Sequence, residues 1–117
     1  DVYKRQPLAC AVARTALKIL IDEGMIENAA KMGTVFLNGL KQIANPLIKD
    51  VRGKGLMLAM EFNPEAGGAR QYCLRLKENG LLCKETHHDT IRFAPPLIIT
   101  QSEVEWALEI IAKVVRA

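Results

Sequence analysis

The sequence predicts an α+β fold: a small, mostly antiparallel sheet with helices on one face. Strand-like runs come in adjacent pairs, at 47–62 and 81–95, instead of alternating singly with helices. Helix-like runs precede, separate and follow these pairs, giving the order α-α-β-β-α-β-β-α. Each run is punctuated by glycine, proline or a capping signature. The 117 residues are one domain by length, and 50% apolar residues can fill a core.

The elements follow in chain order. "DVYKRQ" at 1–6 is polar and offers no good helix cap. Pro7 suits the first turn of a helix, where a missing N–H costs nothing. From Leu8 to Ile21 small and apolar residues occupy nearly every face, so this helix is expected to lie buried between two layers. Gly24 ends it. Ile26, Ala29, Ala30, Gly33, Leu37 and Leu40 recur at helical spacing and predict a second, amphipathic helix, stopped by "ANP" at 44–46. Leu47 and Val51 mark a short strand, and Leu56 to Phe62 a second one, expected to be buried on both faces. "NPEAGG" is a loop. The third helix, in "ARQYCLRLKENG", turns Ala69, Tyr72, Cys73 and Leu76 inward, with Gly80 as a left-handed cap just past its end. "LLCKET" and "TIRFAP" are two more short strands around a tight polar turn at His88 and Asp89. "TQSE" at 100–103 is a capping box. It opens a last helix with Val104, Ala107, Leu108, Ile111 and Val115 inward.

Composition excludes several functions. Sixteen basic and thirteen acidic residues are interspersed, for a net charge of +3, and aromatic residues make up 5%. Without a basic block or stacking aromatics, nucleic-acid binding is excluded. No run approaches the roughly 18 apolar residues of a membrane span, and no signal peptide is visible. Cys10, Cys73 and Cys83 are odd in number and lack C-x-x-C spacing, so they read as buried, reduced thiols of a cytoplasmic protein. A mean hydropathy of +0.06 is high for a small domain. Either the domain is simply rich in Ala, Ile and Leu, or part of its apolar surface belongs against another domain or subunit.

Four stretches could carry chemistry. "RGKG" at 52–55 looks like part of a phosphate loop, but a strand follows it where a helix N-terminus is needed, so its glycines read as a bend or bulge. His87 and His88 would point to opposite faces of extended chain, and no Cys or His follows at i+3 or i+4, so no metal site is predicted. Cys83, on a strand in apolar company, reads as inert. Arg92 stands between Ile91 and Phe93 and is followed by Pro95 and Pro96, which stiffen the chain after it. A guanidinium stays charged at any physiological pH. Drawn inward, it needs a carboxylate or phosphate, best held by two parallel hydrogen bonds. Otherwise the strand is an edge and Arg92 faces water or pairs with an acid of the same domain.

"PLACAVA", "VRGKGL", "LKENGLLCKETH" and "IRFAPPLIIT", in this order and spacing, resemble the C-terminal part of the ornithine aminotransferases, class III, fold-type I enzymes dependent on pyridoxal phosphate. The first two stretches are shared across class III aminotransferases; "CKETH" shortly before "IRFAPPL" points to the ornithine branch. The resemblance implies that the full-length enzyme moves the δ-amino group of ornithine to 2-oxoglutarate, giving glutamate semialdehyde and glutamate. It implies pyridoxal 5'-phosphate as cofactor of that enzyme, amino acid and 2-oxo acid substrates, a large domain missing from this chain, and a homodimer. Arg92 matches the family's substrate-binding arginine, which a glutamate of the large domain holds when ornithine is bound and releases for the oxo acid. The lysine that carries the cofactor, and the groups that hold its ring, belong to the large domain, so no catalytic, cofactor-binding or metal residue is expected here and the chain alone is expected to be inactive. The family's S-T-x-G-G-N reads "DVYKRQ" here, with Val2 in place of a phosphate-binding threonine. Residues 1–6 are therefore expected to be a non-native leader, 7–44 a connector helix and an amphipathic helix, and 45–117 the small α+β domain. The alternatives are another class III aminotransferase, acting on acetylornithine or a different ω-amino acid, and a free-standing carboxylate-binding or interaction module.

Overall fold

The computed structural model describes residues 6–116, so the expectation for residues 1–5 lies outside the described residues. The elements are α1 (Pro7–Asp22), α2 (Met25–Lys41), β1 (Ile48–Lys54), β2 (Met57–Phe62), α3 (Arg70–Glu78), β3 (Lys84–Thr86), β4 (Thr90–Phe93) and α4 (Gln101–Val115), with a 3-10 turn at Pro64–Ala66 inside the "NPEAGG" loop. This is the order read from the sequence.

Local chemistry sets the boundaries. Pro7 occupies the first turn of α1. Past the end of α3, Gly80 takes φ +91°. Its N–H donates to the Lys77 carbonyl at 3.0 Å and that of Leu81 to the Leu76 carbonyl at 2.9 Å, the paired bonds of a Schellman motif. Thr100 caps α4: the Glu103 N–H donates to Thr100 Oγ1 at 3.3 Å, and the Thr100 N–H donates to Glu103 Oε1 at 3.0 Å. The Thr100 N–H, and then the Thr100 hydroxyl donating to Oε1 at 2.8 Å, hold the Glu103 carboxyl below its ordinary range.

The four strands form one antiparallel sheet in the order β1-β2-β4-β3. Two hairpins, β1–β2 and β3–β4, join along the β2–β4 seam. The first hairpin turns through two residues, with Lys54 opposite Met57 and Gly55 at φ +57°. The backbone of that turn lies against α2: a Cβ on Gly33 would stand 2.1 Å from the Gly55 carbonyl oxygen. "RGKG" is thus a strand end and a turn.

One face of the sheet is covered by helices. Leu58, Met60, Phe62, Ile91 and Phe93 project into it. There they meet Met32, Phe36 and Leu40 of α2, Tyr72 and Leu76 of α3, and Val104, Ala107, Ile111 and Val115 of α4. Tyr72 stacks on Phe62, with centroids 4.3 Å apart and 7° between the planes. Asn45 Nδ2 donates to the Val115 carbonyl at 2.7 Å, and Asn28 Nδ2 to the carbonyls of Leu97 and Ile99 at 2.7 and 3.0 Å. These bonds tie the end of α4 and the approach to it onto the first half of the chain.

Several expectations are corrected. α1 has no buried residue; it meets the rest of the fold chiefly through α2, so Leu8 and Ile21 remain 75% and 60% exposed. A radius of gyration of 16.7 Å, against about 13 Å for a compact chain of this length, reflects that projecting helix. β2 alternates and buries only Leu58, Met60 and Phe62, because no second layer covers its other face. On α2 the inward seam is Met32, Gly33, Phe36 and Leu40, while Ile26 is exposed; the helix is rotated about its axis from the periodic set. In α4 Val114 is buried and Leu108 only partly so. Cys10 rides on α1 and is exposed, and Cys73 and Cys83 are half-buried.

Candidate functional site

The uncovered face of the sheet carries the side chains that alternate with the core set. Cross-strand register builds two rows there. One runs Arg52, Ala59, Arg92, Lys84; the next runs Asp50, Glu61, Thr90, Thr86. β4 is an inner strand, so the backbone beneath Arg92 is fixed on both sides, opposite Ala59 and Lys84. The edge-strand reading of Arg92 does not hold. Its side chain is exposed on the open face, and it forms no ion pair or hydrogen bond with the described residues.

Its neighbours differ. Arg52 Nη1 donates to Glu61 Oε1 at 2.9 Å and to Asp50 Oδ2 at 3.1 Å. Lys49 Nζ lies 3.5 Å from Glu61 Oε2. The Arg52 hydrogen bond, more than any other contact, holds the Glu61 carboxyl below its ordinary range, and Lys49 adds to it. The same carboxylates raise the guanidinium of Arg52 further above its usual value. The two arginines flank Ala59, whose methyl leaves a shallow hollow of about 420 Å³ lined also by Gly53, Met57 and Leu58. A planar anion fits against such a floor, with forked donors at its rim.

The other candidates carry less. His87 and His88 are not extended: their φ values are +50° and +67°. The turn is held at both ends, since the His88 carbonyl accepts from the Ala69 N–H and the Asp89 carbonyl from the Phe62 N–H, each at 2.8 Å. Those bonds sustain a left-handed pair that non-glycine residues rarely adopt. His88 Nδ1 lies 2.9 Å from Asp89 Oδ1, and its ring rests on Gly68, where a Cβ would be 3.0 Å away. No three His, Cys, Asp or Glu side chains among the described residues are placed to hold a metal ion. Cys73 and Cys83 contact each other in a hollow between α3 and β3. Burial pushes the Cys83 thiol up to about 12 and that of Cys73 upward as well. Every described lysine is exposed, so none offers the shielded amine that covalent cofactor attachment requires, and these residues do not form a pyridoxal phosphate site. No helix among the described residues is long and apolar enough to cross a membrane.

Sequence reasoning missed the Arg52–Glu61–Lys49 cluster and the apolar hollow of about 470 Å³ between α4 and the Pro95–Pro96 segment, where Phe36, Phe93, Ile99 and half-exposed Trp106 meet. Alternation along "KDVRGK" and "MLAMEF" could have placed Arg52 and Glu61 on one face. Only the register makes them neighbours.

Known proteins share this architecture. The family model for class III aminotransferases matches residues 2–115. An ornithine aminotransferase from Bordetella pertussis is 51% identical over 114 residues, which are 97% of this chain and 28% of that protein. Among solved structures, an ornithine aminotransferase from Plasmodium yoelii superposes with a TM-score of 0.88 at 45% identity, over 93% of this chain and 29% of the other. An acetylornithine aminotransferase from Elizabethkingia anophelis superposes at 0.87 with 45% identity, over 93% of this chain and 30% of its own. The chain thus spans just over a quarter of the length of the relatives it matches, and its helices, its four-stranded sheet and its sequence make it a member of the class III aminotransferase family.

Proposed function

We propose that this chain is the small-domain part of an ornithine aminotransferase and that Arg92 receives the substrate carboxylate. The whole enzyme would transfer the δ-amino group of ornithine to 2-oxoglutarate, giving glutamate semialdehyde and glutamate, and would work as a homodimer in the cytoplasm. Pyridoxal phosphate would be held by a companion large domain, since none of the described lysines is shielded; it supplies the electron sink for the amino transfer. α1, apolar and uncovered, would be the connector that packs against that domain.

One observation carries this reading: Arg92 stands on a fixed inner strand with no partner among the described residues, while Arg52 beside it, also exposed, is held by two carboxylates. A guanidinium presented in this way binds and orients a carboxylate through two parallel hydrogen bonds. The similarity to the acetylornithine enzyme favours a second reading, in which the donor is N-acetylornithine.

A graft tests both. This chain replaces the matching segment of the Bordetella pertussis relative, and the hybrid is assayed with ornithine and with N-acetylornithine. Turnover of ornithine is expected. With Arg92→Lys the half-reaction with 2-oxoglutarate should weaken by at least about tenfold, because a point charge cannot reproduce the fork. Unchanged kinetics with the oxo acid would remove Arg92 from the role.

A further inference from the structure

We propose that Arg52 and Lys49 are positioning residues: they hold the Glu61 carboxylate on the β1 side of the sheet and so keep it from closing on Arg92. The function of this arrangement rests on the reading of Arg92 as a carboxylate receptor; the arrangement itself does not.

Glu61 is the acid on β2 nearest the centre of the open face, and an arginine lies diagonally across from it on either side. Asp50 pairs with Glu61 and Arg52 with Ala59. On the other flank Thr90 pairs with Glu61 and Arg92 with Ala59. In both antiparallel pairs the diagonal joins residues two positions further along their own strands. Diagonal neighbours are roughly 7–8 Å apart at the backbone, within reach of long side chains. One of these two diagonals is closed, at 2.9 Å, by Arg52. The other is open.

The surrounding charges favour the β1 side. From β1, Arg52 and Lys49 both reach Glu61, and Asp50 steadies the guanidinium of Arg52 from the far side at 3.1 Å. From β4, Arg92 alone faces it. Remove the β1 cations, and a carboxylate tethered beside Arg92 competes at an effective concentration in the millimolar range, which rivals a free 2-oxo acid. "RGKG" thereby acquires a role that has nothing to do with phosphate.

The test uses the 117-residue chain and side-chain NMR, following the Glu61 carboxyl carbon through a pH titration and the Arg92 Nε–H signal. In Lys49→Met/Arg52→Met, Glu61 should still titrate below the ordinary carboxylate range, because Arg92 takes it over, and the Arg92 signal should shift. Adding Arg92→Met should return Glu61 to the ordinary range. Adding Glu61→Gln to the double variant should return the Arg92 signal to its wild-type position. A double variant whose Glu61 already titrates in the ordinary range, with no further change on Arg92→Met, overturns the proposal. Should the double variant fail to fold, Arg52→Met alone is read through the Arg92 signal: a shift that Glu61→Gln reverses supports the proposal, and no shift overturns it. These signals report only on Glu61 and Arg92, so the proposal can fail while the graft succeeds, and the reverse.

Discussion

Replacing Gly33 by alanine isolates the tightest backbone contact in the fold. A Cβ at that position would stand 2.1 Å from the Gly55 carbonyl oxygen, 2.4 Å from its carbon and 2.8 Å from its Cα. Ordinary contact begins near 3.4 Å, so α2 and the β1–β2 turn would have to separate by about 1.3 Å. Both partners are backbone, and Met32 and Phe36 beside Gly33 are core residues that cannot follow without loosening. Overpacking of this kind costs about 1–3 kcal/mol, and alanine returns about 1 kcal/mol of helix propensity. The net expectation is a loss of up to about 2 kcal/mol. Gly39 is the control. It lies on the same helix, but the nearest atoms a Cβ there would meet belong to the Leu108 side chain, which can change rotamer, so Gly39→Ala should be close to neutral. Urea unfolding of the three proteins, followed by circular dichroism, gives the comparison through midpoints at a shared slope. If Gly33→Ala unfolds at the same urea concentration as Gly39→Ala, or at a higher one, the close approach of helix and turn is not a constraint and the reasoning fails.

Two further outcomes follow from titratable groups. The Glu103 carboxyl is held below its ordinary range in the folded chain, so the unfolded chain binds more protons between the two values. The stability it contributes is complete above the unfolded value and is lost as pH falls through the folded one. Thr100→Ala removes the hydroxyl that caps α4, which costs about 1 kcal/mol; it keeps the backbone N–H that lowers the Glu103 carboxyl most, so the acid limb of a plot of unfolding midpoint against pH should flatten only in part. With a thiol at about 12, Cys83 is thiolate at only about one part in ten thousand at pH 8. Peptide mapping by mass spectrometry during iodoacetamide treatment should show exposed Cys10 modified well before Cys83; equal rates would contradict the burial of Cys83.

The element order was legible because its signals are local. Gly80 marks the end of α3 through a backbone angle that few other residues adopt, and Thr100 with Glu103 satisfies the first turn of α4 from within four residues. Signals that depend on a neighbour were not legible. Leu8 to Ile21 has the composition of a buried helix, but burial needs a second surface, and no described element provides one. Ile26 and Met32 are equally apolar; which of them turns inward is decided by where the Gly33–Gly55 contact pins α2. The two histidines looked extended because nothing local forces a left-handed turn; the bonds from Ala69 and Phe62 do. The candidate site was half legible. Arg92 stood out by its charge in an apolar strand, whereas Arg52 becomes its neighbour only through the pairing of both with Ala59.

Each hairpin is a local structure that a short stretch of chain can form by itself. The seam between β2 and β4 is different, because pairing Glu61 with Thr90 closes a loop through residues 62–89 and costs about 3 kcal/mol from chain length alone. Arg52 arrives on one hairpin and Arg92 on the other. A chain with every helix and both hairpins formed, but the seam still apart, would show nearly native circular dichroism and possess no anion-binding face. Secondary structure content is therefore a poor gauge of whether this protein is competent; the sound gauge is a contact across the seam, such as Ala59 to Arg92.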